Sequence, residues 1–585
     1  MARATRHHRA GELDAAKALY LEILAQQPAH ADALHLFGLA CHQQGDHRTA
    51  ARYIGKALEQ VPDQPVLRNN LGDALRKLGD LDGAIRQLRQ ALALRPEYAG
   101  AHQNLGSALA EAGEHAAALE HSREATRLDP GKPEAWFNLG LLLMDHVLLE
   151  ESVQSFRRAL LLRPDYPAAA NGFLYALNLL PNTDPADVAD AHRRVASGLF
   201  AAVPKPAPWS APGERLRIGY VSGDFRAHAV SYFFEPLLAH QDTSRFESYC
   251  YSDVAHADAV TGRLRGMAQH WQDIAGWTDA AVSERIRADR IDILVDLAGY
   301  TEHCRLGVFA AKPARCQISY LGYPNTTGIA AMDFRVVDEC TSPAAEPEWG
   351  TEALLRIEDG FACFRPPAHA DAVSTSREGG LRPVTFGCLH KLEKLNPEVI
   401  GTWAQILLSN PDSRLLLARD QLDGWHQDRL AQAFQSHGID RERLDMMHLS
   451  DPAQSFFGIF PRMDVLLDVF PWSGHTIACC ALWMGVPVVS LRGATHAGRM
   501  VASVLHGLGL DELIGENRED YIRIAGGLCR DRSRLAELRA GLRQRVGNSP
   551  LRDEAGFARK FEAACLAAFD ETLQRESSPA PARVR

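Results

Sequence analysis

The apolar and polar positions of the chain follow two different patterns, one on each side of a Pro-rich stretch. Before residue 204, small and apolar residues recur at helical spacing in paired segments, whereas after residue 214 short β-branched runs alternate with helical segments. Helix pairs in a row predict an α-solenoid, and alternating strands and helices predict an α/β fold with parallel sheets. We therefore expect residues 204–214 to link an all-helical part to an α/β part.

Small residues recur at a fixed step of 34 residues in the first part. Four columns keep this step: Gly38, Gly72, Gly106 and Gly140; Ala50, Ala84 and Ala118; Ala57, Ala91, Ala125 and Ala159; Pro62, Pro96, Pro130 and Pro164. They fit the tetratricopeptide repeat, in which small residues let two antiparallel helices pack closely and Pro ends the second helix. We expect a tetratricopeptide superhelix over residues 1–203, with degenerate repeats after Pro164. Gly11 lies one step before Gly45, so we expect the array to begin inside a repeat that lacks upstream repeats or a first helix.

An Asn stands two positions before the repeated Gly in three successive repeats, at Asn70, Asn104 and Asn138. Asn has only middling helix propensity, so its recurrence needs a reason. One interpretation is a side-chain hydrogen bond to the local turn. The other is a ladder of amides on the concave face that holds the backbone of an extended peptide. We favour the ladder, because a local role would not require the same face in three repeats, and we expect this groove to bind proteins or peptides.

The second part divides into two series of strands. The first series is predicted at Leu216–Val221, Ile291–Val295, Cys316–Leu321 and Phe334–Val337. A polar stretch at His369–Gly380 precedes the second series, predicted at Pro383–Phe386, Arg414–Leu417, Asp445–His448, Val465–Val469 and Pro487–Ser490. This predicts two doubly wound, Rossmann-like domains at 215–375 and 381–570, followed by a disordered tail at 571–585. Ligands of such sheets bind at the carboxyl ends of the strands, so we expect a cleft there.

Composition argues against several classes of function. Asp and Glu outnumber Lys and Arg by 73 to 63, so we expect no general affinity for nucleic acid or anionic membranes. No run approaches the ~20 apolar residues that span a bilayer. No apolar stretch follows a basic start either, so we expect a cytoplasmic protein with no membrane partner. The 11 Cys show no metal-ligand spacing, which predicts buried free thiols and no metal site.

Candidate chemical residues follow the predicted strands of the first domain. Asp224 and His228 follow the first strand, and Asp224 either caps the next helix or takes part in catalysis with His228. Thr301 and Arg305 follow the second strand and offer a hydroxyl and a cation. The loop after the third strand would let backbone approach a ligand; it contains Leu321, Gly322 and Pro324.

The second domain has a candidate diphosphate site. Gly474, His475 and Thr476 follow an apolar strand and open a helical stretch. A helix N-terminus presents free N–H groups and a positive dipole end to an anion, and the Thr476 hydroxyl adds a donor. The alternative is a capped helix with a half-buried His. Lys391 and Lys394 follow the first strand of the same domain and favour the phosphate site, because a Lys can neutralise charge on a leaving phosphate.

Together these motifs resemble the protein O-linked N-acetylglucosaminyltransferase family. The repeat array is followed by Asp-Phe-x-x-His, Leu-Gly-Tyr-Pro, Lys-Leu-Asn-Pro and Gly-His-Thr, and the resemblance covers nearly the whole chain. It implies the GT-B glycosyltransferase arrangement of the two Rossmann-like domains. It also implies transfer of N-acetylglucosamine from UDP-N-acetylglucosamine to Ser or Thr of intracellular proteins, with inversion and without a metal or other cofactor. UDP is then the product, and a homodimer is compatible with such an enzyme.

The resemblance further implies a role for each candidate residue. The expected catalytic residues are His228, which is the first candidate for the base, Asp224 and Lys394. The expected nucleotide-binding residues are Lys391, Lys394, Gly474, His475 and Thr476. The expected sugar and acceptor pocket contains Leu321, Gly322, Pro324, Thr301 and Arg305.

Three positions depart from the animal members of that family. Ile477 stands in place of a second Thr, Cys480 in place of an acidic ribose ligand, and Lys391 in place of a Gln. The donor therefore stays open between UDP-N-acetylglucosamine and GDP-fucose, because the plant SPINDLY proteins share this architecture and resemble a fucosyltransferase. A non-catalytic scaffold that senses a nucleotide sugar is a different class of function, and it also stays open. An enzyme for lipid or small-molecule acceptors is a third hypothesis, but it leaves the repeats unexplained.

Overall fold

The computed structural model describes residues 1–200, 213–371, 382–449 and 452–577. The chain forms two compact units, Met1–Ala169 and Ala170–Arg585. Most of the predicted linker at 204–214 lies outside the described residues, as does the predicted break between the two α/β domains at 376–380. These two boundaries stay predictions.

The first unit is a row of antiparallel helices. Helices α1 to α10 are Ala2–Arg9, Leu13–Gln26, Ala31–Gln43, His47–Gln60, Pro65–Lys77, Leu81–Leu94, Ala99–Glu111, His115–Leu128, Pro133–Asp145 and Leu149–Leu162. The repeated Gly marks the closest approach of the two helices in a repeat: a Cβ at Gly72 would lie 2.6 Å from Leu88 Cγ, and a Cβ at Gly140 would lie 2.7 Å from Phe156 Cε1. The tetratricopeptide prediction is confirmed, and the first repeat has a short first helix, α1, packed on α2.

Two further helices follow the array, α11 (Pro167–Leu179) and α12 (Pro185–Leu199). The predicted superhelix extends to residue 203, but the compact unit that contains the α/β sheets begins at Ala170. The reason lies in polar contacts: Asn178 and His192 on these helices hydrogen-bond to the hydroxyl of Tyr323 in the α/β part. The structure therefore ends the array near Ala169 rather than at 203.

The first sheet is parallel and precedes the second along the chain. Strands β1 to β7 are Leu216–Ser222, Phe246–Ser252, His270–Asp273, Ile293–Asp296, Cys316–Ser319, Phe334–Val337 and Ala353–Arg356. Its helices α13 to α16 are Ser231–Ala239, Ala259–Met267, Asp279–Ala288 and Leu306–Ala310. The strand order is β3-β2-β1-β4-β5-β6-β7, with Ile218 of β1 in register with Ile293 of β4. The order reverses between β1 and β4, and the carboxyl ends of strands at such a point hold ligands.

The second sheet is also parallel. Strands β8 to β13 are Thr385–Cys388, Arg414–Arg419, Leu444–His448, Val465–Leu467, Val488–Leu491 and Ile514–Gly515, in the order β10-β9-β8-β11-β12-β13. Helices α17 to α24 are Ala368–Asp371, Pro397–Leu408, Gly424–Gln435, Pro452–Ile459, His475–Trp483, His496–Gly507, Arg518–Arg530 and Arg532–Gly547. Short 3-10 turns lie at Leu392–Lys394, Arg441–Arg443, Phe460–Arg462, Asp511–Leu513 and Pro550–Arg552. Here the strand order reverses between β8 and β11. The residues predicted to bind a diphosphate follow these two strands.

The last helix, α25 (Glu554–Ser577), returns to the first sheet. Phe557, Phe561 and Phe569 pack into the same core as Ile218 and Phe334. The prediction of a disordered tail at 571–585 is wrong for residues 571–577, because α25 keeps an apolar face as far as Leu573. The second domain correspondingly ends before residue 554 rather than at 570. Residues 578–585 lie outside the described residues.

Every Cys is a free thiol, and the adjacent Cys479 and Cys480 are fully buried. In the part of the chain that the structure describes, no helix has both the length and the apolar character needed to cross a bilayer.

Candidate functional site at the strand ends

Asp224 and His228 lie in the loop between β1 and α13. Helix α13 begins at Ser231 and takes no side-chain cap, so Asp224 does not serve as its N-cap. Instead, the buried Asp224 carboxylate has its Oδ1 3.4 Å from His228 Nδ1. Burial raises the pKa of Asp224 and lowers the pKa of His228. The imidazole is 39% exposed and is favoured in its neutral form, which is the form that accepts a proton.

The loop after β4 is shaped by a buried carboxylate. Asp296 accepts hydrogen bonds from the backbone N–H groups of Ala298 and Gly299 at 3.1 and 2.9 Å, and burial raises its pKa to about 6. The turn then places Thr301, whose hydroxyl donates to the Ala298 carbonyl at 2.9 Å.

Arg305 serves as a structural tie. Its guanidinium makes two hydrogen bonds to Asp253 at 3.0 and 2.9 Å and one to Asp279 at 2.9 Å, and it also donates to the Trp277 carbonyl. These partners follow β2 and β3 and begin α15. With a further bond to the Ile274 carbonyl, the guanidinium makes five hydrogen bonds that hold these loops together, and the predicted role of Arg305 at the donor cleft competes with them.

The loop after β5 lies against the end of β4. A Cβ at Gly322 would lie 2.0 Å from the Leu297 carbonyl oxygen, so only Gly fits, and Leu321 has a φ of 75° in the left-handed region. Pro324 is buried, and two small cavities of about 70 and about 10 Å³ share it as a lining residue. The smaller cavity is also lined by Leu321 and Phe361.

Arg335 and His496 line both cavities, and the sequence analysis did not identify them. Arg335 is 6% exposed, and its Nη2 lies 3.2 Å from Glu348. Its Nε and Nη1, like His496 Nδ1, make no hydrogen bond within the described residues. A cation inside the apolar strand β6 is a signal that could have identified Arg335. His496 follows the predicted strand Pro487–Ser490 and opens the next helix, so its strand-end position could have identified it.

The second half of the site begins at the end of β11. The Asp468 carboxylate accepts from the Gly474 N–H at 2.8 Å and from the Ser490 hydroxyl at 2.6 Å, and burial raises its pKa to about 6. A Cβ at Gly474 would lie 2.0 Å from His390 Cε1, so a larger residue would displace the start of α21. Together these contacts fix the N-terminus of α21 beside the strand ends.

His475 and Thr476 form the first turn of α21. The His475 ring stacks on Phe233 of α13, with centroids 4.9 Å apart, and packs against Phe361 at 5.0 Å. Burial lowers its pKa to about 4, which keeps the ring neutral. Its Nε2 is buried and makes no hydrogen bond within the described residues, while Thr476 is half-buried. His475 thus brings the α21 N-terminus against the helix that follows Asp224 and His228.

Lys394 reaches the segment immediately before α21, and Lys391 does not. The Lys394 Nζ lies 3.3 Å from the Trp472 carbonyl oxygen and 3.4 Å from that of Ser473, and 4.6 Å from the Trp472 ring centroid. Burial lowers the pKa of Lys394 to about 8, with Asp468 opposing the shift. The Lys391 side chain is exposed, and its Nζ lies 3.8 Å from Glu393.

The positions that depart from the animal proteins differ in exposure. Cys480 is fully buried, and burial raises the pKa of its thiol. Ile477 is half-buried on the same helix.

Two members of the Asn column, Asn70 and Asn104, make hydrogen bonds to neighbouring repeats rather than to local turns. The Asn70 amide nitrogen lies 2.9 Å from His35 Nε2, and Asn104 donates to Asn69 Oδ1 at 3.0 Å. Asn69 in turn donates to Asn70 at 3.1 Å. Asn138 is half-buried and makes no side-chain hydrogen bond within the described residues.

The fold and the site define a class of protein: a tetratricopeptide array joined to two Rossmann-like domains of the glycosyltransferase type. The sequence profile of glycosyl transferase family 41 matches residues 201–363 and 370–561. Tetratricopeptide profiles match residues 1–65, 72–113, 99–132 and 118–170. The chain belongs to glycosyl transferase family 41.

The similar proteins carry related names. The SPINDLY protein of Solanum lycopersicum, named a probable UDP-N-acetylglucosamine–peptide N-acetylglucosaminyltransferase, is 35% identical over 412 residues, which are 69% of this chain and 44% of that protein. The UDP-N-acetylglucosamine–peptide N-acetylglucosaminyltransferase of Caenorhabditis elegans is 24% identical, covering 60% of this chain and 40% of that one. The chain thus spans less than half the length of these curated relatives.

A solved bacterial structure is similar over most of the chain. It is a lysine-to-methionine mutant of the O-GlcNAc transferase of Thermobaculum terrenum, 36% identical with a TM-score of 0.77. The match covers 88% of this chain and 98% of that one. It confirms the predicted fold class, a helical repeat array followed by two α/β domains in the glycosyltransferase arrangement.

Replacing Lys394 tests the cation of this site. Lys394→Ala should lower turnover about 100- to 1000-fold, the usual loss when one preorganised donor to developing negative charge is removed. Lys391→Ala is the matched comparison and should cost far less, because its ammonium is exposed. Equal effects of the two variants on turnover would contradict the assignment.

The same lysine predicts a pH dependence of UDP binding. With a pKa of about 8, Lys394 is protonated below pH 8 and loses its charge as the pH rises through that value. UDP affinity should therefore fall above pH 8 in calorimetric titrations of the wild type. Lys394→Arg keeps its charge to much higher pH, so its UDP affinity should stay level over the same range.

Proposed function

We propose that the protein is an inverting, metal-independent glycosyltransferase that transfers N-acetylglucosamine from UDP-N-acetylglucosamine to Ser or Thr hydroxyls of cytoplasmic proteins. The observation that carries the proposal is the meeting of Lys394 with the segment that opens α21. A half-buried ammonium and a helix N-terminus together form a site for a diphosphate leaving group. The names of the similar proteins support the sugar and the peptide acceptor.

The proposed reaction is a single displacement at the anomeric carbon. The acceptor hydroxyl oxygen forms the new bond while the bond to the diphosphate oxygen breaks, and its electron pair leaves with UDP. His228 receives the hydroxyl proton, with Asp224 close enough to stabilise the imidazolium that forms. Asp224, acting directly or through water, is the alternative base.

In the proposed reaction, hydrogen-bond donors of the protein stabilise the negative charge that develops on the leaving diphosphate. Lys394, the amides at the start of α21 and the Thr476 hydroxyl face that charge. The Gly474 amide is already bonded to Asp468, so the donors to the diphosphate must come from the residues that follow it. Asp468 itself is engaged by Gly474 and Ser490, which makes it a poor ligand for a divalent ion.

GDP-fucose is the second candidate donor, and Cys480 is the reason to keep it. A buried thiol stands where the animal members have an acidic ribose ligand, so the nucleoside must be recognised differently. A non-catalytic scaffold that only senses a nucleotide sugar is the third outcome that the tests must separate.

One set of measurements tests the donor, the metal and the activity. Calorimetric titration with UDP, GDP, UDP-N-acetylglucosamine and GDP-fucose, each with and without a chelator, should show preference for the uridine nucleotides and no effect of the chelator. Incubation with labelled donors and a cell lysate should place label on protein. Preference for GDP would favour fucosyl transfer, and tight binding without transfer would favour the sensor.

Replacing His228 tests the base. His228→Ala should lower turnover about 100- to 10,000-fold, the range for general acid–base catalysis, while UDP affinity stays near normal. The exposed His256 provides the control, and His256→Ala should leave both quantities unchanged. A large loss of UDP affinity in His228→Ala would instead assign this residue to the donor pocket.

Asn138 gives the cleanest test of the peptide groove. Asn138→Ala removes no hydrogen bond of the fold, and Ala is the better helix former, so the melting temperature should not fall. Long protein acceptors should be modified more slowly, because one backbone hydrogen bond worth about 1 kcal/mol is lost. Short peptides should react as before. Asn104→Ala, which also breaks a bond to Asn69, should add a loss of stability.

If Asn138→Ala treats long and short acceptors alike, Asn138 takes no part in acceptor binding. The triple replacement of Asn70, Asn104 and Asn138 then serves as the stronger version of the same comparison.

A further inference from the structure

Helix α11 carries three polar side chains on one face. Asn171, Tyr175 and Asn178 are spaced by four and three residues, which places them one above another on the helix. Each of them reaches a different loop of the α/β part. The sequence periodicity assigns this helix to the repeat array. None of the three residues is therefore among the site residues that were predicted from positions at strand ends.

Two of the three side chains hold loops of the first sheet. The Asn171 amide donates to the Thr301 carbonyl at 3.2 Å, in the loop after β4. The Asn178 amide donates to the Tyr323 hydroxyl at 2.8 Å and accepts from Asn325 at 2.8 Å, in the loop after β5. These are the loops that contain the proposed acceptor and sugar residues.

The third side chain holds a loop of the second sheet. The Tyr175 hydroxyl donates to Glu393 Oε1 at 3.1 Å, in the short turn that carries Lys394. The Tyr175 ring lies 5.2 Å from the Trp472 ring, and Trp472 offers the carbonyl that accepts from Lys394. Burial raises the pKa of Tyr175 well above its ordinary value, so the phenol is a permanent donor.

His192 of α12 fixes the direction of the hydrogen bonds around Tyr323. Its Nδ1 lies 2.7 Å from the Val188 carbonyl oxygen and must donate there, so its Nε2 accepts from the Tyr323 hydroxyl at 2.7 Å. The Tyr323 oxygen is then left to accept from Asn178. Burial lowers the pKa of His192 to about 4, which keeps the ring in the neutral form that this arrangement requires.

The geometry points to α11 as a positioning element that sets both sides of the donor cleft, with Tyr175 acting on the phosphate side and Asn178 on the sugar side. This inference rests on the proposed function. The strand-end loops are irregular backbone, and misplacement of a reacting group by about 1 Å can cost two orders of magnitude in rate. One helix bonded to loops of both sheets constrains the distance between Lys394 and the sugar pocket.

Tyr175→Phe in the full chain removes one hydroxyl and keeps the ring packing. The specificity constant for the donor should fall about three- to tenfold, the size expected for one hydrogen bond, while the KM for a short peptide acceptor stays unchanged. The control is Tyr166→Phe in the repeat array, which should change neither quantity. Combining Tyr175→Phe with Glu393→Ala should add little to the larger single effect, because both replacements remove the hydrogen bond between these two side chains.

A second readout does not depend on turnover. In Tyr175→Phe, hydrogen exchange of the amides of residues 392–395 should quicken, while exchange in β10 stays as in the wild type. Asn178→Ala should quicken exchange at residues 321–327 and weaken the binding of UDP-N-acetylglucosamine more than that of UDP. If no donor is turned over by the wild type, the proposed function fails while the exchange result still tests α11.

The positioning role is overturned if both variants lower the melting temperature and change nothing else. Their donor kinetics, measured at a temperature where they remain folded, and their local hydrogen exchange would then equal those of the wild type. In that case α11 contributes packing alone.

Discussion

The buried carboxylate of Asp468 is the interaction on which the second half of the site depends. It accepts from Gly474 and Ser490 and lies 3.7 Å from His390, so it joins the end of β11 to β12 and to the start of α21. A buried charge persists only when hydrogen bonds and an opposite charge compensate its lost hydration. Lys394 is the opposite charge here, which explains why the cation and the helix N-terminus lie together.

Burial also decides which side chains around the cleft carry charge. It lowers the pKa of His475 to about 4 and of His390 to about 3, so both rings stay neutral near pH 7. Lys394, with a pKa of about 8, keeps most of its charge under the same conditions. In the proposed reaction, the diphosphate would therefore meet Lys394 as a cation among neutral rings, and the charge of the diphosphate would favour the protonated ammonium.

The sequence could predict the repeat and most strands because both follow from local periodicity. Strands β1, β4 to β6 and β8 to β12 lie within about two residues of their predicted positions. The sequence analysis missed four strands: β2, β3, β7 and β13. The β2 run Phe-Glu-Ser-Tyr-Cys-Tyr-Ser mixes polar and apolar residues, and β3 is a half-exposed edge strand. Strands β7 and β13 are short. Strand-end position also predicted that Lys394 lies near the start of α21. It could not show that Arg305 is engaged by Asp253 and Asp279, because ion pairs between distant loops leave no local pattern.

Helix α25 has a consequence for how the chain is made. The core of the first α/β domain is built from strands that begin at Leu216, yet it is completed by Phe557, Phe561 and Phe569 near the other end of the chain. During synthesis, the strands of this sheet therefore emerge long before the side chains that cover them. The apolar surface of the sheet stays exposed while the second domain is translated. The sequence of the second domain interrupts that of the first, so the two domains cannot fold independently of each other.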